Sequence, residues 1–320
     1  MEGIAIGLFG TDVQSRSAFA GSVGKKSEAE GIIVYNRREG DRRISLLDDG
    51  GFPERIQGYA RIASISDYAI FLYPATGRLS APDGELAVLL ESFKLPGAVA
   101  VEDHRATADS LKAVFKGTLL ESYAVEERSG SPVIDLSKVM PRDDFQQEGT
   151  LVYVDRAFNV KGLGTVALGF VLSGEVSVHD SLRPTPLPKG KTAEVKGIQI
   201  NDVDYESAGR GIRVGLALRG IDARDMQRTH WLDDGSFSLH DRLSLLVEPS
   251  PFYKQVLFDR DLHLQLSGEM LPASLSREGA DGELTAALPF AVPAWEGMRV
   301  AVVDLNGKIL RIAGGGTCKA

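Results

Sequence analysis

Five histidines (His104, His179, His230, His240 and His263) and one cysteine, Cys318, are the residues that metal or nucleophilic chemistry would use in this chain. Zinc sites need such ligands in pairs at short spacings, as in H-x₃₋₅-H or two nearby cysteines. None of these residues stands in that relation, and no metal site is expected. A Ser-His-Asp triad is defined by geometry rather than by spacing, and none is legible along the chain. No catalytic residue is assigned. Cys318 cannot form an internal disulfide, which fits a reducing, cytoplasmic setting.

Phosphate chemistry would need cations. Asp and Glu outnumber Lys and Arg by 44 to 36, for a formal net charge of −8. Binding to nucleic-acid phosphates usually shows as a basic domain or stripe. The overall balance has none, so DNA is not an expected partner, and only a local basic patch would serve RNA. A length of 320 residues suits two or three domains. Hydrophobic residues at 43% and charged residues at 25% are ordinary for a globular chain. No apolar run is long enough to span a bilayer, and Met1-Glu2-Gly3-Ile4 lacks the basic region of a secretory signal. No membrane partner is expected.

The elements that must position any site divide the chain. In its first part, apolar runs at 4–9, 31–36, 44–47, 68–73 and 98–101 read as strands. Residues from about 15, then 54–63, 83–93 and 107–115, read as helices, the third with Pro82 at its start. Strands alternating with helices imply a doubly wound α/β sheet. Residues 119–125 and 133–136 read as further strands, and the polar run 140–148 as a linker. Two apolar runs then flank the turn Lys161-Gly162-Leu163-Gly164, with more strands at 192–200 and 213–219. Such spacing implies a small β-barrel. Strands recur at 244–247, 262–266, 283–290 and 298–304. Asn306-Gly307 marks a hairpin between 300–305 and 308–312, and Gly314-Gly315-Gly316 a flexible end.

The middle region resembles the second domain of translational GTPases, above all elongation factor Tu and the selenocysteine-specific elongation factor. The family pattern F-x-I-x-G-x-G-T-V-x-x-G-x-V-x-x-G corresponds to Phe158, Val160, Gly162, Gly164, Thr165, Val166, Gly169, Val171 and Gly174. The later G-x-x-V-G-x-x-L-R-G-I corresponds to Gly211, Val214, Gly215, Leu218, Arg219, Gly220 and Ile221. The resemblance implies a P-loop GTPase-like doubly wound domain over 1–140, then two β-barrels of the elongation factor type over 149–232 and 236–317. The last of these rests mainly on domain order. The large fourth domain of the selenocysteine-specific branch has no length left for it.

In the first region the family's motifs are eroded. A P-loop, G-x-x-x-x-G-K-[ST], cradles phosphates on backbone N–H groups, reaches them with its Lys and holds Mg²⁺ with its hydroxyl. The aligned run is Gly10-Thr11-Asp12-Val13-Gln14-Ser15-Arg16-Ser17. The second Gly is Ser15, which a loop needing φ > 0 would strain. The Lys is Arg16, a larger planar fork. Asp12 and Asp49 would add negative charge beside any phosphate. Ile33 stands where the family has the Thr that holds Mg²⁺. The D-x-x-G motif survives as Asp48-Asp49-Gly50-Gly51, followed by Phe52 where the family has a His that orients water. Of N-K-x-D only Asp103 remains, and the Ser-Ala-Leu-type base motif has no counterpart near 131–137.

Gly10, Arg16, Ser17, Asp48, Gly51 and Asp103 are therefore vestigial nucleotide-binding candidates, or else turn glycines and solvated loop residues, which is the preferred reading. The family's second domain holds the aminoacylated 3′ adenosine of tRNA, which makes Lys161, Gln199 and Arg219 candidate tRNA contacts. The alternative leaves Lys161 and Gln199 facing solvent and Arg219 bridging domains. The resemblance implies a binding protein of the translation apparatus, without GTP hydrolysis, that engages tRNA or a ribosome-associated partner. No cofactor is expected. GTP with Mg²⁺ belongs to the alternative of a switch with altered motifs, and a third reading is a protein-interaction scaffold without nucleic acid.

Overall fold

The structure, a computed structural model, describes residues 3–27, 32–74, 76–102, 106–128, 139–186, 190–277 and 283–319. An α/β domain is followed by two β-barrels, as the resemblance implies. The first domain holds strands β1 (Gly3–Phe9), β2 (Lys25–Ser27), β3 (Ile33–Glu39), β4 (Arg42–Asp48), β5 (Tyr68–Leu72), β6 (Gly97–Glu102) and β7 (Ala124–Arg128). Its helices are α1 (Val13–Val23), α2 (Gln57–Ile65), α3 (Ala81–Ser92) and α4 (Ala108–Val114). The sheet order is β2-β3-β4-β1-β5-β6-β7. From β4 to β7 neighbours run parallel, while β2, β3 and β4 pair antiparallel. The central strand β1 is buried along its whole length, as expected for a parallel strand covered by helices on both faces.

The expected strand at 119–125 is a 3₁₀ turn, Leu119–Ser122, before β7 begins at Ala124. Only Leu120 of that turn is buried, so it lacks the alternation that makes a strand. The expected strand at 133–136 and the base motif near 131–137 lie outside the described residues.

The second domain holds β8 (Leu151–Val160), β9 (Gly164–Ser173), β10 (Glu175–Ser177), β11 (Ser181–Thr185), β12 (Ala193–Ile200), β13 (Val203–Tyr205), β14 (Ser207–Gly209), β15 (Arg213–Arg219) and β16 (Trp231–Asp233). The order β11-β16-β8-β9-β15-β12 closes through β11–β12 pairing, with β13 appended. A short helix, α5 (Ala223–Met226), lies before β16. Val152, Val171, Val195, Leu216 and Leu232 fill the barrel. The third domain is a closed barrel of β17 (Leu239–Pro249), β18 (Arg260–Leu266), β19 (Glu269–Ser276), β20 (Glu283–Pro293), β21 (Arg299–Val303) and β22 (Ile312–Lys319).

Two expectations are corrected in the third domain. Gly314, Gly315 and Gly316 are not a flexible end but the middle of β22, which pairs with both β17 and β21. They are glycine because other backbone lies against them. A Cβ on Gly316 would stand 2.6 Å from the Leu246 carbonyl oxygen, and one on Gly315 would meet the backbone of Ser92 at the end of α3. The Asn306-Gly307 turn is the tip of a longer loop. Asp304 N–H donates to the Arg311 carbonyl at 2.7 Å, and the Asp304 carboxylate accepts from Asn306 N–H at 3.0 Å.

The run 140–148 is no solvated linker. Arg142 is buried, its backbone N–H donating to Asp67 at 3.0 Å and its guanidinium to the carbonyls of Ala63 and Ser66. Phe145 is buried against Trp295, whose indole N–H donates to the Asp144 carbonyl at 2.6 Å. The run straps the first domain to the third. Apolar side chains of the first sheet, α2, α3 and the third barrel form one continuous core.

Candidate functional site

Two places concentrate polar side chains that the sequence singles out. The first is the loop between β1 and α1. In α1, the buried residues Arg16, Phe19, Ala20 and Val23 recur at i, i+3, i+4 and i+7, so Arg16 lies on the face turned to the sheet. Its guanidinium is wholly buried. Nε donates to Asp48 Oδ1 at 2.7 Å, Nη1 to the Gly10 carbonyl at 2.5 Å and Nη2 to the Asp49 carbonyl at 3.0 Å. Asp48 is also buried, and its Oδ1 accepts from Asp49 N–H at 2.9 Å and Tyr59 Oη–H at 3.4 Å. Arg16 and Asp48 are therefore not solvated loop residues. They form a buried, multiply bonded ion pair that joins α1 to the ends of β1 and β4.

The loop carries a second substitution of this kind. The helix starts two residues before the expected position near residue 15, because Asp12 caps α1. Its carboxylate accepts from Gln14 N–H at 2.9 Å, Ser15 N–H at 3.1 Å and Ser15 Oγ–H at 2.9 Å. The Ser15 N–H, against some desolvation, is the main cause of a pKa held below the ordinary carboxylate value. Ser15 is helical rather than in the left-handed region, so the strain expected there is absent. The signal for this cap was an Asp ahead of the stripe Arg16-x-x-Phe19-Ala20-x-x-Val23.

The other motif residues scatter. Gly10 is at φ +139°, where a Cβ would stand 2.8 Å from the Leu72 carbonyl oxygen. Ser17 is exposed on α1, off the buried face that carries Arg16. Gly51 N–H donates to Asp49 Oδ2 at 3.0 Å, and burial is the main cause raising the Asp49 pKa. Phe52 is buried edge-on against Tyr59. The segment after it is gripped by Arg311 of the third barrel, which donates to the carbonyls of Pro53 and Glu54 and to the carboxylate of Glu85. Asp103 lies outside the described residues.

The second place is a cleft of about 860 Å³ between the first sheet's β2–β3 edge and the second barrel. One wall carries Lys25, Lys26, Ser27 and Asn36. The barrel side offers an apolar floor of Phe158, Val160, Leu163, Val166 and Leu168. Gln199 lies at its polar margin, donating to Asp204 Oδ1 at 2.9 Å. Of the three candidate tRNA contacts only Gln199 lines this cleft. Lys161 is exposed in the β8–β9 turn. Arg219 is exposed at the end of β15 and ion-paired with Glu194 of β12, so its bridge stays within the barrel and does not join domains. Among the described residues no group of His, Cys, Asp and Glu is arranged to hold a metal ion, and no helix is long and apolar enough to cross a membrane.

The elongation factor Tu domain 2 family matches residues 164–232. Over 320 residues the chain is 28% identical to an uncharacterized protein of Methanocaldococcus jannaschii, covering 99% of each. It is 25% identical over 314 residues to the selenocysteine-specific elongation factor of the same organism, covering 86% of this chain and 66% of that protein. It thus spans just under two thirds of that relative. Translation elongation factor SelB from Methanococcus maripaludis, solved with the GTP analogue GppNHp, superposes with a TM-score of 0.83 at 22% identity, covering 99% of this chain and 79% of that one. That likeness is one of fold.

Proposed function

For this chain, which belongs to the translational GTPase-like family, we propose a binding role in the translation apparatus without GTP turnover. Its partner is tRNA or a ribosome-associated component, taken up in the cleft between the β2–β3 edge and the second barrel. The observation that carries the first half is the Arg16 guanidinium. Its three nitrogens are held by Gly10, Asp48 and Asp49, where a P-loop would turn a cation outward to phosphate. The Gln14 and Ser15 N–H groups, of the kind that would cradle phosphate, are bound to the Asp12 carboxylate. A nucleotide triphosphate would have to displace these internal bonds and approach Asp12, Asp48 and Asp49 together. The residues present do not fit GTP with Mg²⁺. The cleft supports the second half, since an apolar floor with a polar margin and lysines opposite suits a nucleotide end with its phosphate.

The test is calorimetric titration of the purified protein with GTP, GDP and ATP in Mg²⁺, beside aminoacyl-tRNA at low salt. We expect no heat with nucleotide at millimolar concentration, and saturable binding of the tRNA. Micromolar, guanine-selective binding would replace this reading with a GTP-binding translation factor of altered motifs. Silence in both titrations would leave a protein-interaction scaffold.

A further inference from the structure

Several arginines and lysines of the second barrel are engaged within it. Arg183 faces Asp233, Lys191 and Arg228 face Asp225, Arg213 faces Asp155, and Arg219 faces Glu194. Positive charge gathers instead on the edge of the first sheet. Lys25, Lys26, Arg37, Arg38, Arg42 and Arg43 all lie on β2, β3 and β4, in a protein of net charge −8.

The register sets the faces. Lys25 stands opposite Asn36, and Arg38 opposite Arg43. Directly opposed residues share a face, and alternate residues along a strand share it too. Lys25, Asn36, Arg38, Arg43 and Ser45 therefore form one surface, tied by bonds from Ser45 Oγ–H to Asn36 Oδ1 and from Asn36 to Ser27 Oγ. This surface turns toward the second barrel. Lys25 and Asn36 line the cleft, and the Arg43 guanidinium lies 5.1 Å from the ring centroid of Tyr205 on β13.

Like charges directly opposite one another destabilise a strand pair, so the Arg38–Arg43 pairing is unfavourable in isolation. Tyr205 engages Arg43. Arg38 Nε donates to the Gly40 carbonyl at 2.9 Å, and its carboxylate contact is a long one, to Asp41 at 3.9 Å, which leaves the exposed guanidinium without a close counter-charge among the described residues. Lys25 and Lys26 are exposed, on an edge strand, and among the described residues they make no ion pair. Two residues along a strand advance about 7 Å, so Lys25 and Arg38 are spaced as successive contacts along an extended polyanion. The row runs into the cleft that has the apolar floor.

We propose that the β2–β4 edge contacts the phosphate backbone of single-stranded RNA, with Lys25 and Arg38 on this surface, and Lys26 reaching the cleft from the other face of the short edge strand, as the phosphate ligands. This rests on the reading of the cleft as the seat of an RNA end and adds a second contact area, on the first domain. The contacts are to phosphate and are blind to base sequence. They set the salt dependence of binding.

The test is fluorescence anisotropy with a labelled single-stranded RNA oligonucleotide and with aminoacyl-tRNA, over a series of KCl concentrations. Lys25→Glu/Lys26→Glu and Arg38→Glu are compared with wild type and with Lys308→Glu, an exposed lysine in the β21–β22 loop. Melting curves verify folding, and Lys25→Gln/Lys26→Gln replaces the glutamate pair should that melt early. We expect each edge variant to weaken both RNAs at least tenfold at low salt, with Lys308→Glu unchanged. Removing two phosphate contacts lowers the slope of log K against log salt by about 1.4. Unchanged affinity and slope in edge variants, where wild type binds, overturns the inference and leaves the cleft reading standing. Oligonucleotide binding that the variants abolish, without tRNA binding, upholds the inference and removes tRNA as the partner. Failure of wild type to bind either RNA overturns both.

Discussion

Arg16 is a cation placed in an apolar stripe, and its worth depends on its three acceptors. Removing one member of a buried pair leaves the other uncompensated, at about 3–5 kcal/mol. Arg16→Ala should lose stability on that scale in urea denaturation, because Asp48 stays buried. Arg16→Lys, which restores the P-loop residue type, should recover only part of it, since one ammonium cannot span the Gly10, Asp48 and Asp49 oxygens as a planar fork does. A full rescue by Lys would show that charge alone is needed. Asp12 acts through its bonds to Gln14 and Ser15. Asp12→Ala should cost about 1 kcal/mol at neutral pH, the usual worth of an N-cap. The folded pKa of Asp12 lies below its ordinary value of 3.8. The cap is therefore fully effective above that value and is lost as pH falls through the lowered one. The gap between wild type and Asp12→Ala should accordingly close only in strong acid. A gap that closed above pH 5 would exclude Asp12 as its source.

At the scale of elements, the glycines of β22 set how closely α3 can approach the third barrel. Gly315→Ala would force a Cβ into the Ser92 backbone, an overpacking cost of about 1–3 kcal/mol. Gly21→Ala, in α1 with open space around it, should instead stabilise by about 0.5–1 kcal/mol. Denaturant midpoints of the pair measure this, and equal shifts would mean that α3 does not rest on β22. The contrast also marks what the sequence could reveal. The strand-helix alternation of the first domain, and the glycines and β-branched residues of β8, β9 and β15, are local patterns, and they were legible. Gly314-Gly315-Gly316 has no local pattern of a strand, because what requires glycine there is Ser92 and Leu246, far away in the chain. In β19 the inward residues Leu271, Ala273 and Leu275 alternate, but Pro272 between them argues against a strand. At the site, the erosion of the motifs was legible one residue at a time. That Arg16 turns inward and that Asp12 caps the helix depends on partners at Asp48 and Asp49, which spacing does not give.

Across the whole molecule, the segment after β4 is held from two sides. Arg16 binds Asp48 and the Asp49 carbonyl from within the first domain, and Arg311 binds the Pro53 and Glu54 carbonyls from the third barrel. Ser64 of α2 accepts from Gly268 N–H and Gln265, and the 140–148 strap ties Asp67 to Trp295 through Arg142 and Asp144. A nucleotide switch works by releasing such a segment and letting domains move. Here the same place is bolted by side chains, so one cooperative unit is expected. Cys318 reports on it. The thiol is buried in β22, and burial pushes its pKa up to about 12. At pH 8 the folded thiol should therefore be almost inert, and a thiol reagent should react at the rate of global unfolding. A ligand at a hundred times its Kd would add about 2.7 kcal/mol to stability and slow that reaction if unfolding must precede it. We expect millimolar GTP or GDP with Mg²⁺ to change neither the labelling rate nor the melting temperature. Labelling that runs ahead of unfolding would reveal a third barrel that opens by itself. A nucleotide-dependent rate would mean that the grip of Arg16 and Arg311 on residues 48–54 can be released.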